Sequence, residues 1–169
     1  SILFCFSIIK SQENYIYQRP PKEILELVDV SLPPRVLIDE NKKFMIHLSR
    51  DSYKSIIELS DPEIKLAGLR LNPNSNSRSR TNYYNNVMIS KMDQIDKSAK
   101  QIKGLPKDPK LANIKWSPDQ TKIAMTNTKE EGVELWFIDL EKLTAKKLTG
   151  PKLNASLGDV ITWYQDSKN

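Results

Sequence analysis

Residues 111–149, LANIKWSPDQTKIAMTNTKEEGVELWFIDLEKLTAKKLT, read as four short β-strands in succession. Ala112, Ile114 and Trp116 alternate with polar neighbours, the period of a strand. Ser117-Pro118-Asp119-Gln120 makes a tight turn, since Pro presets φ at the second turn position and Asp suits the third. Residues 123–126 resume the extended pattern, 128–132 turn again, and 133–140 form a third strand whose centre, Leu135-Trp136-Phe137-Ile138, is apolar on both faces. Such a strand requires cover on both sides. After a turn at 141–144, residues 145–148 give a short polar strand suited to a sheet edge. A four-stranded antiparallel sheet that needs neighbours on both faces is a propeller blade. The expected fold class is therefore all-β, an incomplete β-propeller of four-stranded antiparallel blades with short helical insertions.

The pattern recurs along the chain. Trp116-Ser117-Pro118-Asp119 returns as Trp163-Tyr164-Gln165-Asp166, 47 residues on (163 − 116), near the ~40–50 of propeller repeats. Leu37-Ile38-Asp39-Glu40 is a weaker copy. The segments 36–38 and 44–48 read as strand-turn-strand, 83–92 as a long strand and 99–102 as a fourth. Residues 51–80 interrupt that blade, with short helical turns expected at 55–59 and 62–66 (the second capped by Asp61) and a polar Asn- and Ser-rich loop after them. The reading assigns 34–104 to a first blade with its insertion at 51–80, 105–150 to a second, and 151–169 to the start of a third.

The N-terminal part differs. Residues 2–9, ILFCFSII, are apolar but too few to span a bilayer, which takes ~20 residues. We read residues 1–11 as the remnant of a signal-peptide core, which implies a periplasmic or secreted protein with no membrane contact after cleavage; a buried strand is the alternative. Residues 12–33 form an extension in which Pro21 opens a short helix bearing Ile24, Leu25, Leu27 and Val28. Both ends read as cut from a longer chain.

The sequence has 169 residues, a net charge of +5, one His and one Cys. No Lys/Arg block or basic-aromatic interleaving marks a nucleic-acid surface. No cofactor or metal pattern is read. His47 has no nucleophile or ligand partner near it in sequence, and is read as a rim or inter-blade residue.

In order along the chain, Tyr17-Gln18-Arg19-Pro20-Pro21, Leu66-Ala67-Gly68-Leu69-Arg70, Ser77-Arg78-Ser79-Arg80, Trp116-Ser117-Pro118-Asp119 and Glu134-Leu135-Trp136 resemble the N-terminal propeller of the prolyl oligopeptidase family of serine peptidases. The LAGLR and RSR stretches resemble its glutamyl endopeptidase branch. The WSPD turn alone is shared by many propellers, so the ordered combination carries the resemblance. It implies a propeller that filters peptides entering a C-terminal α/β-hydrolase domain of the same chain. No G-x-S-x-G elbow occurs in these residues, so no catalytic residue is assigned and this stretch is expected to be inactive alone. Because the implied substrates carry Glu, Arg70, Arg78 and Arg80 are the candidate substrate contacts, a guanidinium being able to take a carboxylate through two hydrogen bonds. Local pairing within the insertion is the competing account of the same three residues. A competing class is a non-enzymatic TolB-like propeller acting as a binding scaffold.

Overall fold

The computed structural model describes residues 19–94 and 99–167. The chain divides into two units, Ser1–Val30 and Ser31–Asn169. The apolar stretch read as a signal core lies outside the described residues. In the first unit, α1 (Lys22–Val28) begins directly after Pro21, whose missing N–H costs nothing there. A Lys22–Glu26 ion pair one turn apart supports it, and it buries no residue.

The second unit is built from antiparallel sheets. Strands β1 (Arg35–Ile38) and β2 (Phe44–Ser49) form a hairpin. The chain then leaves through α2 (Ile56–Ser60), β3 (Ile64–Leu66), β4 (Leu69–Asn72) and β5 (Ser77–Arg78), and returns as β6 (Asn86–Lys91) and β7 (Lys100–Gln101). The first sheet has the order β1-β2-β6-β7, and the excursion forms its own sheet, β3-β4-β5. Strands β8 (Leu111–Trp116), β9 (Lys122–Lys129), β10 (Gly132–Asp139) and β11 (Thr144–Lys147) follow as a simple meander, with β11 at the edge.

One apolar cluster joins the two four-stranded sheets. Ile46, Leu48, Val87 and Ile89 of the first pack with Leu111, Ile123, Met125 and Ile138 of the second. The register puts Ile46 opposite Ile89 and Leu48 opposite Val87, so alternation turns these side chains to one face. On β10, Ile138 is buried while Leu135, Trp136 and Phe137 are half-buried, so both faces of this strand are sheltered, neither being fully wet. Residues 151–167 form no strand. They are tied to β10 where Leu153 donates to the Val133 carbonyl, and to β8 where the Trp163 indole donates to the Lys115 carbonyl.

The excursion departs from the sequence reading. Residues 62–66 are not helical, and the stretch expected to end in a polar loop is mostly strand, with the Asn- and Ser-rich residues 73–76 forming the turn between β4 and β5. Instead, Ala67 and Gly68 both take positive φ, +46° and +86°, and fold β3 back onto β4. Positive φ at both central residues is the hairpin turn that matches strand twist. The expected helical turn at 55–59 does form, as α2, with Ser55 and Glu58 capping each other's backbone N–H.

The repeat seen in sequence is repeated in conformation, with the first copy one residue out of step, Asp39 and not Ile38 taking the place of Ser117. In three turns the first residue's carbonyl accepts from the fourth residue's N–H: Asp39 from Lys42, Ser117 from Gln120 and Tyr164 from Ser167. The fourth residue is left-handed each time, with φ of 53°, 59° and 55°. The first two turns also share a side-chain brace, Asp39 Oδ1 accepting from Phe44 N as Ser117 Oγ accepts from Lys122 N.

Candidate substrate-contact site

The β3-β4-β5 sheet positions the three arginines. Arg70 stands in the middle of β4 opposite Lys65, Arg78 ends β5 opposite Leu71, and Arg80 follows at φ 63°. Glu63, just before β3, lies diagonal to Arg70 across the hairpin, within reach of a long side chain. Its Oε1 accepts from Arg70 Nη1, and its Oε2 accepts from Arg80 Nε at 3.2 Å. Arg78 turns elsewhere, its Nε donating to the Ser156 carbonyl at 3.3 Å. Two of the three candidates are thus brought together and the third is not.

Two guanidinium groups on one carboxylate leave one positive charge over. Glu63 is mostly covered, whereas the side chains of Arg70 and Arg80 are 41% and 64% exposed. Desolvation pushes the Glu63 carboxyl up, but the hydrogen bonds and charges of Arg70 and Arg80 outweigh it and hold it below its usual range. The pair can therefore turn unused N–H groups to an incoming carboxylate without releasing Glu63.

A cleft of about 500 Å³ opens beside Arg80, between the excursion and the start of β8. Basic Lys54, Arg80, Lys110 and Lys129 line it, matched by Glu58, Asp61, Glu63, Asp108 and Glu130, so it carries no surplus positive charge. Burial lowers the Lys54 pKa, against the opposing pull of Glu58, and its ammonium donates to the Thr81 carbonyl.

Glu63 was not singled out in the sequence, because 62–66 reads as a helical turn there. The signal was the hairpin itself: with 67–68 as its turn, Glu63 falls beside Arg70. His47 does have a hydroxyl partner in space, Ser90 Oγ at 2.8 Å on the neighbouring strand. Ser90 and His47 lie on adjacent strands of one sheet face, with no carboxylate accepting a hydrogen bond from the imidazole among the described residues. Three-residue clusters able to hold a metal are absent from the described residues, and no described helix is long and apolar enough to cross a membrane.

The chain is similar to two plant proteins named probable glutamyl endopeptidase, chloroplastic. It is 30% identical over 162 residues to the one from Oryza sativa subsp. japonica. It is 29% identical over 161 residues to the one from Arabidopsis thaliana. Each match takes in 89% of this chain and 17% of the relative, so the chain spans about a sixth of their length. No family model matches it. The relatives' name is that of a peptidase, which agrees with the resemblance carried by the LAGLR and RSR stretches at the level of a peptidase-related protein.

Proposed function

We propose that this chain is the propeller portion of a serine peptidase of the prolyl oligopeptidase family, acting on peptides that carry Glu. The observation that carries the reading is the pair of four-stranded antiparallel sheets sharing one core, in a chain that aligns along most of its length with two probable glutamyl endopeptidases. In this reading the sheets are blades covering 34–104 and 105–150, with a third beginning at 151. They restrict access to an α/β-hydrolase domain carried by the same polypeptide, which supplies the nucleophile and base. Arg70 and Arg80, with one positive charge unspent, meet the substrate carboxylate, and Arg78 assists from β5. The proposed location is periplasmic or secreted.

The test is hydrolysis by the full gene product. Short peptides containing Glu are expected to be cut, and folded proteins bearing the same sequences to be spared. A product that cuts neither overturns the peptidase reading and favours a binding scaffold; one that cuts both equally overturns the gating role. Arg70→Ala and Arg80→Ala should raise KM about three- to tenfold for Glu-containing peptides and leave neutral ones unchanged, the span expected when a partly exposed charge-assisted contact is lost. Unchanged selectivity in Arg70→Ala, Arg78→Ala and Arg80→Ala alike removes these residues from substrate recognition.

A further inference from the structure

The β3-β4-β5 sheet has one closed edge and one open one. On β5 the far side is taken, Ala155 N donating to the Asn76 carbonyl beside the Ser77–Ala155 bridge. On β3 no strand lies outside it among the described residues, and all three of its residues are exposed. The register decides which backbone groups that edge offers. Arg70 turns its carbonyl towards β5, where it accepts from Ser79 N, and Lys65 is its partner across the hairpin. In an antiparallel pair that is not hydrogen-bonded, each residue points its N–H and C=O away from the other. Lys65 therefore holds one donor and one acceptor out at the free edge, and neither is used among the described residues.

The two faces of the sheet differ in kind. Ile64, Leu66, Leu69 and Leu71 share one face, and Ile64 and Leu66 are 44% and 55% exposed. Lys65 and Arg70 share the other, with Glu63 and Arg80 tied to Arg70 there. Like charges directly opposite each other weaken a sheet, and three cations here share one carboxylate. A lysine on an edge strand ordinarily keeps other strands away. An acidic strand is the exception, because its carboxylate offsets the repulsion between Lys65 and Arg70.

We propose that β3 binds an extended peptide as an added antiparallel strand, in the register that sets a Glu of the peptide opposite Lys65 and an apolar residue on each side of that Glu. The peptide Glu N–H donates to the Lys65 carbonyl and its C=O accepts from Lys65 N, the pattern of a strand added to a sheet edge. Alternation then turns the carboxylate to the Lys65–Arg70 face and both neighbours to Ile64 and Leu66. Lys65 lies about 5 Å from the incoming strand and Arg70 about 10 Å, one and two strand spacings. Lys65 therefore takes the carboxylate first, and Arg70 reaches over β3 to it. The substrate class narrows from peptides that carry Glu to those with Glu between apolar residues. This deepens, and rests on, the reading of Arg70 and Arg80 as contacts for substrate Glu.

Fluorescence anisotropy of the full gene product, treated first with a fluorophosphonate so that any serine nucleophile is blocked, tests it. The probes are short labelled peptides bearing Ile-Glu-Ile, Ile-Gln-Ile, Ile-Lys-Ile or Ser-Glu-Ser between glycine-serine arms. Ile-Glu-Ile should bind about tenfold more tightly than Ile-Gln-Ile, the span expected of a charge-assisted contact at a partly exposed site. It should also bind more tightly than Ser-Glu-Ser. Methylation of its Glu nitrogen should weaken it about fivefold, one backbone hydrogen bond being lost. Lys65→Glu, a change at an exposed side chain, should reverse the preference and make Ile-Lys-Ile the better ligand. Equal binding of the Glu and Gln peptides, indifference to methylation, an unchanged preference in Lys65→Glu, or no binding because another segment occupies the edge overturns the proposal. A gene product that binds with these preferences and, left untreated, hydrolyses no peptide keeps the added strand and loses the peptidase reading. One that hydrolyses Glu-containing peptides and shows none of these preferences loses the added strand alone.

Discussion

At the scale of single residues, the acidic side chains divide by what surrounds them. Asp119 accepts from Ser117 Oγ, Thr121 N and Thr121 Oγ1, and these bonds, led by that of Ser117, lower its pKa to about 2 against some desolvation. A carboxyl whose pKa falls on folding stabilises the protein above its unfolded value, and the contribution disappears as pH drops through the folded one. Asp119→Asn should therefore cost about 1 kcal/mol at pH 7, the usual net worth of such bonds at a screened site. In urea unfolding the difference from wild type should shrink as pH falls from about 4 to about 2, a window set by the shift itself; a constant difference would falsify the assignment. Glu134 is a different case, being buried. It accepts from Asn127 Nδ2 at 2.9 Å, Trp136 Nε1 at 2.8 Å and Lys147 Nζ at 3.2 Å. Desolvation raises its pKa, and those three donors more than reverse the effect. Glu134→Ala strands the fully buried Asn127 amide and should cost about 2–4 kcal/mol, whereas Lys147→Ala, which removes a half-exposed cation, should cost under about 1 kcal/mol. Equal losses in the two variants would mean that the ion pair, not the buried amide, sets the energy.

At the scale of elements, what was legible followed periodicity. The β8–β11 meander is legible strand by strand because extended runs and turn residues such as Pro118 agree there, although a bulge at Asn113 breaks the alternation expected from Ala112 to Trp116. The β3–β5 sheet was not, for three physical reasons. Its turn is Ala67-Gly68, where the usual signal is Asn-Gly or Asp-Gly; β3 is exposed along its whole length, so no alternation marks a buried face; and Asp61 before Pro62 imitates a helix start. The same miss hid Glu63, the carboxylate that gathers Arg70 and Arg80. The three arginines were visible as residue types, but their grouping depended on that hairpin. Close approach between segments was equally invisible. At Gly132, φ 151°, an added Cβ would lie 2.3 Å from the Pro151 carbonyl oxygen. Gly132→Ala should therefore push residues 151–153 off β10 and cost about 2 kcal/mol or more, while Gly158→Ala, where nothing lies within 4 Å, should cost only the left-handed backbone penalty of about 1 kcal/mol. Urea midpoints of the two variants decide, and equal costs would place 151–153 away from β10 in solution.

At the scale of the whole molecule, the decisive fact is that two sheets distant in sequence share one core. Ile46 on β2 and Ile138 on β10 are each 1% exposed and belong to the same cluster. Deleting most of either side chain leaves a cavity, which costs about 2–5 kcal/mol wherever it is made. If the sheets unfold as one body, that cost is felt by both. The tryptophans make this measurable, because Trp116, Trp136 and Trp163 all lie at or beyond β8 and none lies in the first sheet. Ile46→Ala, a change in the first sheet, should lower the urea midpoint reported by tryptophan fluorescence as far as the midpoint reported by far-ultraviolet circular dichroism. Conversely, Ile138→Ala should speed amide exchange at Val87 and Ile89. Should Ile46→Ala shift the dichroism while leaving the fluorescence midpoint in place, the sheets would be separate folding units in contact. The shared cluster would then be an interface of the kind that joins independent domains, and the stacking could not serve as the repeating step from which a larger ring is built.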